Sequence, residues 1–373
     1  MNHNVLRWAV AVLLLAALAL GLSSPSTAEE AAGKLPMDFR LGGYPPKADG
    51  WTVEKEKDVP VSAEYEDPTI SVSIRRGTLE NPVKGAKDKL LETYVARIRI
   101  ADVSQLRTAA SNDNYKKGAS DPESMARDKM AVIAMNGDFF KGGNRDAGYL
   151  VRQGELIRDY TGNKRKVIFD MLLIDSEGDF HVVPSAVTEN IEAYINETLT
   201  PKGLTVLHTF NLGPALVVDG EVQDISASEA ARQGEYQWCY PQQRIALVQT
   251  GHLEYAIVEV YGRTDSSAGV SLQQFAAYIA EQCPDAVIAY NLDGGGSTNL
   301  IYTWRNESAK TGAASYDDLY YELIHEDEAD SRKIKEMKKM RNQLVKSWRC
   351  VAPGHRDIHD LVYFASAFNS FQQ

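Results

Sequence analysis

Val287-Ile288-Ala289-Tyr290-Asn291-Leu292-Asp293-Gly294-Gly295-Gly296-Ser297-Thr298-Asn299 decides how the rest of the chain is read. An apolar run of strand length passes without a spacer into a carboxylate, three consecutive glycines and two hydroxyls. The run predicts a buried core strand. The glycines, which lack Cβ atoms, predict a bend whose backbone can close on a ligand. Successive N–H groups in such a bend converge on an oxyanion, and Asp293 is fixed beside whatever they hold. An ordinary tight turn has no need of three glycines, each of which costs conformational entropy on folding. No lysine follows the glycines, which argues against a Walker-type loop, and their spacing does not fit a Rossmann turn.

Working outward, Leu272 to Gln282 repeats Leu272, Phe275, Ala276 and Ile279 at helical spacing and drops straight into the glycine-bearing strand. Alternation at Thr69 to Ile74 and Tyr94 to Ile100 predicts half-buried strands. Asp121-Pro122-Glu123 marks a helix start. Four turn signals interrupt apolar alternation, at 152–155, 176–179, 218–221 and 250–252, and predict antiparallel pairs. Asp360 to Ala365 reads as a last buried strand. Strands followed by helices, with frequent hairpins, predict an α+β fold with mixed, largely antiparallel sheets and packed helices. Residues 69–368 form the main domain in this reading. Residues 29–68 are an extended lead-in over its surface, and 316–348 a charged helical insertion, one long helix or a helical hairpin.

Residues 1–28 carry Arg7, an apolar run from Trp8 to Leu22 and small residues up to Ala28, the pattern of an export signal cleaved after Ala28. An uncleaved anchor is the alternative, although the run is short for a span. Secretion or a cell-envelope location follows, with no membrane span after cleavage. The formal net charge of −11 over 373 residues gives a field that does not attract nucleic acid. Any bound phosphate must therefore be met by local arginines. Of three cysteines, Cys239 and Cys350 each precede a singled-out arginine and are assigned to one disulfide, with Cys283 buried and free; a fully reduced set is the alternative.

The chemistry-bearing residues outside the bend are few. Ala134 to Phe140 ends a buried strand in Asn136, Asp138 and two aromatics of the kind sugar rings stack on. Arg244 opens an apolar strand, Arg263 follows another, and Arg356 precedes the last. Guanidinium groups bind phosphate in a bidentate fork, which makes the three arginines a candidate anion site.

The order of these segments resembles the phosphodiester glycosidase family. The matching elements are Asn136 to Phe140, Gly148 to Gly154, Leu212 to Gly220, Arg244, Gly262 to Thr264 with Gly269 to Leu272, Asn291 to Ser297, and Arg356. Tyr261-Gly262 stands where members of that family commonly carry Asp-Gly. The resemblance covers roughly residues 70 to 367. It implies cleavage between a sugar's anomeric carbon and a phosphate diester, with Asn136, Arg244, Asp293, the three glycines, Ser297 and Arg356 as site residues. The residues themselves add Asp138 as second carboxylate, Asn136 as a group orienting a sugar hydroxyl or acetamido, and Arg263 and Thr298 as phosphate contacts beside Gly294, Gly295, Gly296 and Ser297. No cofactor is called for, and a divalent cation stays open. Two other readings stand beside this one: metal-assisted phosphodiester hydrolysis on Asp138, Asp293 and Asp265, and a noncatalytic glycan-binding protein of the cell wall. The expected partner is a phosphorylated sugar or glycan, and oligomeric state is left open.

Overall fold

The computed structural model describes residues 33–115, 118–138, 148–160, 170–184, 191–211, 213–225, 240–262, 268–309, 313–324, 330–350 and 356–369. The export signal, Phe139, Phe140, Cys239, Arg263, Asp265 and His355 lie outside them. A nine-stranded sheet has the order β1 (Trp51–Glu56), β2 (Val59–Glu66), β3 (Ile70–Glu80), β4 (Leu90–Ile100), β15 (Glu254–Val260), β14 (Arg244–Gly251), β16 (Ile288–Asn291), β12 (Ala215–Val218) and β13 (Glu221–Val222). A five-stranded sheet has the order β18 (Val345–Arg349), β17 (Leu300–Arg305), β6 (Ala131–Asn136), β19 (Asp360–Ala365) and β5 (Leu106–Ala110). Smaller sheets pair β10 (Phe180–Val183), β9 (Met171–Asp175) and β11 (Val206–Phe210), and β7 (Gly148–Arg152) with β8 (Glu155–Tyr160). The pairings among these described strands are antiparallel, as the hairpin signals require.

Strand periodicity decides where the cores lie. Tyr255 and Ile257 of β15 share one face with Ile245 and Leu247 of β14 and meet Met135, Val362 and Phe364 of the second sheet. Ala256, Val258 and Val260 face the other way, onto Phe275, Ala276 and Ile279 of a helix spanning Leu272–Gln282. Burial on both faces is why β14, β15 and β16 read as continuous apolar runs. Each such side chain removed from water contributes about 1.5–3 kcal/mol before entropy is counted. The longer helices are α1 (Pro122–Asp128), α2 (Leu272–Gln282), α3 (Ala313–Ile324) and α4 (Ser331–Leu344). Asp121 caps α1 through the Ser124 N–H, and Ser271 with Gln274 forms a reciprocal capping box on α2.

Three expectations change. The lead-in is irregular only to residue 50; its second half is the β1–β2 hairpin on the edge of the large sheet. Its alternation was missed because it is short: Trp51 and Val53 are half-buried against the core, but Lys55 breaks the apolar period. The insertion is a helical hairpin, but its helix stops at Leu344, and Val345–Arg349 become an edge strand on β17. Its apolar stripe, Tyr316, Tyr320, Leu323, Ile334 and Met337, buries against Leu41 and Met130, so only the opposite face is solvated. The Cys239–Cys350 disulfide is overturned: Cys350 is a free thiol turned into the inter-sheet core, and Cys283 is also buried and free.

Glu259 lies two residues beyond Ile257 on β15, fully buried, and neither carboxyl oxygen has a hydrogen-bond partner among the described residues. Burial pushes its pKa well above the usual carboxylate range, Glu92 adds to this and Arg349 opposes it. A raised carboxyl pKa gives stability that is complete below the unfolded value and is lost as pH rises through the folded one. Glu259→Gln is therefore expected to flatten the alkaline decline of unfolding free energy in urea titrations. Equal pH slopes in the two proteins would show that folding does not raise the pKa of Glu259.

Candidate active site

The site forms where strands from both large sheets end together. Asn136, last in β6, pairs with Leu361 of β19, while Asn291, last in β16, pairs with Ala246 of β14. The two ends are stitched by hydrogen bonds. Asp293 donates its N–H to the Gly137 carbonyl at 3.2 Å, and Asn136 Nδ2 donates to the Asp293 carbonyl at 2.6 Å. Asn299 donates its N–H to Asn136 Oδ1 at 2.9 Å.

The glycine bend is a single 3-10 turn, Gly295–Ser297, with Gly295 at φ +62°, where a side chain would be strained. A Cβ on Gly294 would lie 2.8 Å from the Gln243 carbonyl oxygen, so this glycine lets the bend press against the chain leading into β14. That packing uses up most of the expected anion nest. Gly295 donates to Gln243 O at 2.9 Å, Ser297 to Gly294 O at 3.4 Å and Thr298 to Gly295 O at 3.2 Å. Among the described residues, the N–H groups of Gly294 and Gly296 are the two in the bend without a hydrogen-bond acceptor.

Asp293 meets the expected guanidinium groups. Arg356 Nη2 lies 3.6 Å from its carboxylate, and Arg356 Nε donates to Ser297 Oγ at 2.8 Å. Arg244, 5% exposed, donates from Nη2 to the Tyr240 carbonyl at 3.0 Å and from Nε to the Val270 carbonyl at 3.3 Å. Burial lowers its pKa to about 10, and the Asp293 charge opposes that fall. Burial raises the Asp293 carboxyl to about 6 against the pull of Ser297 and Arg356, and Asp138 raises it further.

Asp138 sits across the site on a support that the sequence reading missed. Arg152, fully buried at the end of β7, places Nη2 3.3 Å from Asp138 and 2.8 Å from Asp360, and its guanidinium lies 4.4 Å over the Phe210 ring. Its Nη1 donates to the Val151 and Thr209 carbonyls. Asp138 also accepts the Asn211 N–H at 3.1 Å, while its own N–H donates to Asp360 Oδ2 at 3.0 Å. Gly137 is required there, since a Cβ would collide with the Asp360 carboxylate. Burial raises Asp138 to about 6 against Arg152, with Asp360 adding to the rise. A charge inside each of two apolar strands, Tyr149-Leu-Val-Arg152 and Asp360-Leu-Val-Tyr363, is the signal that could have found the pair.

Two assigned roles do not survive the geometry. Asn136 is 1% exposed and spends its amide on the bend, so it braces Asp293 and presents nothing to a sugar. Thr298, 2% exposed, is enclosed by protein, and its hydroxyl has no hydrogen-bond partner among the described residues. Among those residues no group of three or more His, Cys, Asp and Glu side chains is placed to hold a metal.

Two carboxyls whose pKa values burial raises thus lie beside guanidinium groups where strands of two antiparallel sheets end together. The family model for phosphodiester glycosidase matches residues 129–332, and the chain belongs to that family. Among solved structures it is similar to the catalytic domain of zebrafish N-acetylglucosamine-1-phosphodiester alpha-N-acetylglucosaminidase, auto-inhibited by its pro-peptide. The TM-score is 0.52 at 12% identity, over 88% of this chain and 96% of that one. A hypothetical protein from Synechocystis aligns at TM-score 0.37 and 16% identity, over 67% of this chain and 64% of that one. No curated protein matches.

Proposed function

We propose that the protein hydrolyses the bond between a sugar's anomeric carbon and a phosphate diester, at an extracytoplasmic location reached through its N-terminal export signal. The observation that carries this reading is the meeting of Arg356, Arg244 and Asp293 at one bend, with Asp138 in electrostatic range. The two arginines lie far apart in sequence, and a purely structural bend has no use for both. A phosphodiester leaves as a stable anion, so cationic stabilisation matters more than strong acid help. In this mechanism Arg244 and Arg356 hold the phosphate, joined by the N–H groups of Gly294 and Gly296. Asp293 stabilises the cationic sugar or activates water, and Asp138 is the second carboxyl. Water oxygen ends on the anomeric carbon, and the phosphate keeps its bridging oxygen. The zebrafish enzyme is named for the same linkage. Among the described residues no helix is long and apolar enough to cross a membrane.

The test is incubation with a panel of sugar 1-phosphodiesters in labelled water. Label in the freed sugar supports the proposal, whereas label in the phosphate moves the attack to phosphorus and sinks it. The rate should also report the raised carboxyl. Asp293 must be ionised, its pKa is about 6, and kcat/KM is expected to fall about tenfold per pH unit below that value. A rate that stays flat through the acid range would remove its ionisation from the mechanism.

A further inference from the structure

Tyr240 has no task in the chemistry above, yet it stands at the edge of the site. It is 60% exposed and is the one aromatic among the large apolar side chains that the described residues leave exposed. Exposure alone would mean little, because single surface apolar groups are common. Placement is what distinguishes this one. Its carbonyl accepts a hydrogen bond from Arg244 Nη2 at 3.0 Å. Two residues on, Gln242 exchanges both backbone hydrogen bonds with Val270 at 2.9 Å. The next carbonyl, Gln243 O, accepts the Gly295 N–H of the bend at 2.9 Å. The segment from Tyr240 to Arg244 is thus fastened to the site at several points, and an exposed ring at its outer end is carried on a fixed pedestal. A group held in place before binding loses little freedom when it makes a contact.

We propose that Tyr240 is a specificity-determining residue, its ring a platform for a ring-bearing group on the far side of the substrate phosphate. This rests on the reading of Arg244 as a phosphate ligand. Arg244 feels the charge of Asp293, where the anomeric carbon reacts, and also donates to the Tyr240 carbonyl. A phosphate on that guanidinium therefore lies next to the residue that carries the exposed ring. The ligand chemistry is a flat face that stacks on an aromatic ring, which a pyranose or a nucleobase can supply.

The test compares wild type, Tyr240→Phe and Tyr240→Ala on phosphodiesters of one sugar bearing methyl, glucosyl or nucleosyl groups. The ratio of kcat/KM for a ring-bearing over the methyl substrate is expected to fall about tenfold in Tyr240→Ala and to stay near wild type in Tyr240→Phe. A loss confined to the glucosyl or to the nucleosyl compound identifies which ring is bound. An unchanged ratio for both overturns the proposal, as does an equal loss of rate on all three substrates. Calorimetric binding of the same compounds to Asp293→Asn, with and without Tyr240→Ala, reads the preference without turnover. Should the wild type cleave none of them, the proposed reaction fails while binding still decides the role of Tyr240.

Discussion

Asp293→Asn is expected to lower kcat on the order of 10³-fold while leaving the protein folded and, above neutral pH, more stable. Both effects have one cause. Burial raises this carboxyl from 3.8 to about 6, so the folded state binds its proton more tightly than the unfolded chain does. Stability from this group is complete below the unfolded pKa and is lost as pH rises through about 6, where the active carboxylate appears. A shift of this size corresponds to about 3 kcal/mol, which the amide does not forfeit on the alkaline side. Losing Arg356 and Ser297 as charge-assisted partners offsets part of the gain. The offset is small because the Arg356 side chain is 40% exposed and water can replace the carboxylate. Single-turnover kinetics and urea denaturation at neutral and acid pH check the pair of claims. A variant that kept its rate would end the catalytic assignment. One that was inactive but no more stable in alkali would mean that Asp293 is ionised without strain.

The elements nearest the bend were the most legible, and the reason is physical. β15 and β16 are buried on both faces, so from Tyr255 to Val258 and from Ile288 to Tyr290 their sequences are apolar, and α2 carries its own capping box. Arg244, Arg356 and Asp293 were readable because a charge at the end of an apolar run has few structural uses. Arg152 and Asp360, which also stand at strand ends, escaped because each owes its meaning to the other, across 208 residues of chain. The role given to Asn136 failed for a related reason. A side-chain amide at a strand end can face a ligand or bind the neighbouring backbone, and only the approach of Asp293 and Asn299 decides between them. The β1–β2 hairpin was lost because its apolar alternation is short, Trp51 and Val53 giving way to Lys55 and Glu56 before the turn.

Arg152→Met carries the largest expected cost in stability, about 3–5 kcal/mol at neutral pH, because it strands two buried carboxylates at once. Methionine keeps much of the contact with Phe210 but returns none of the charge. Without the guanidinium, Asp138 and Asp360 repel each other at close quarters and Asp138 takes up a proton more readily. The deficit should therefore shrink in mild acid, when protonation supplies the neutrality that Arg152 supplied, and the acid limb of the rate profile should move to higher pH. Arg152→Lys, which keeps one positive charge but cannot span both carboxylates and two carbonyls together, should fall between. A deficit equal at neutral and acid pH would trace the loss to packing and to the bonds with Val151 and Thr209, and the electrostatic account would fail. The result bears on function because one side chain ties β7 and β11 to β19 and to the loop after β6. Asp138 keeps its place near Asp293 only while those four segments stay in register around a single buried cation.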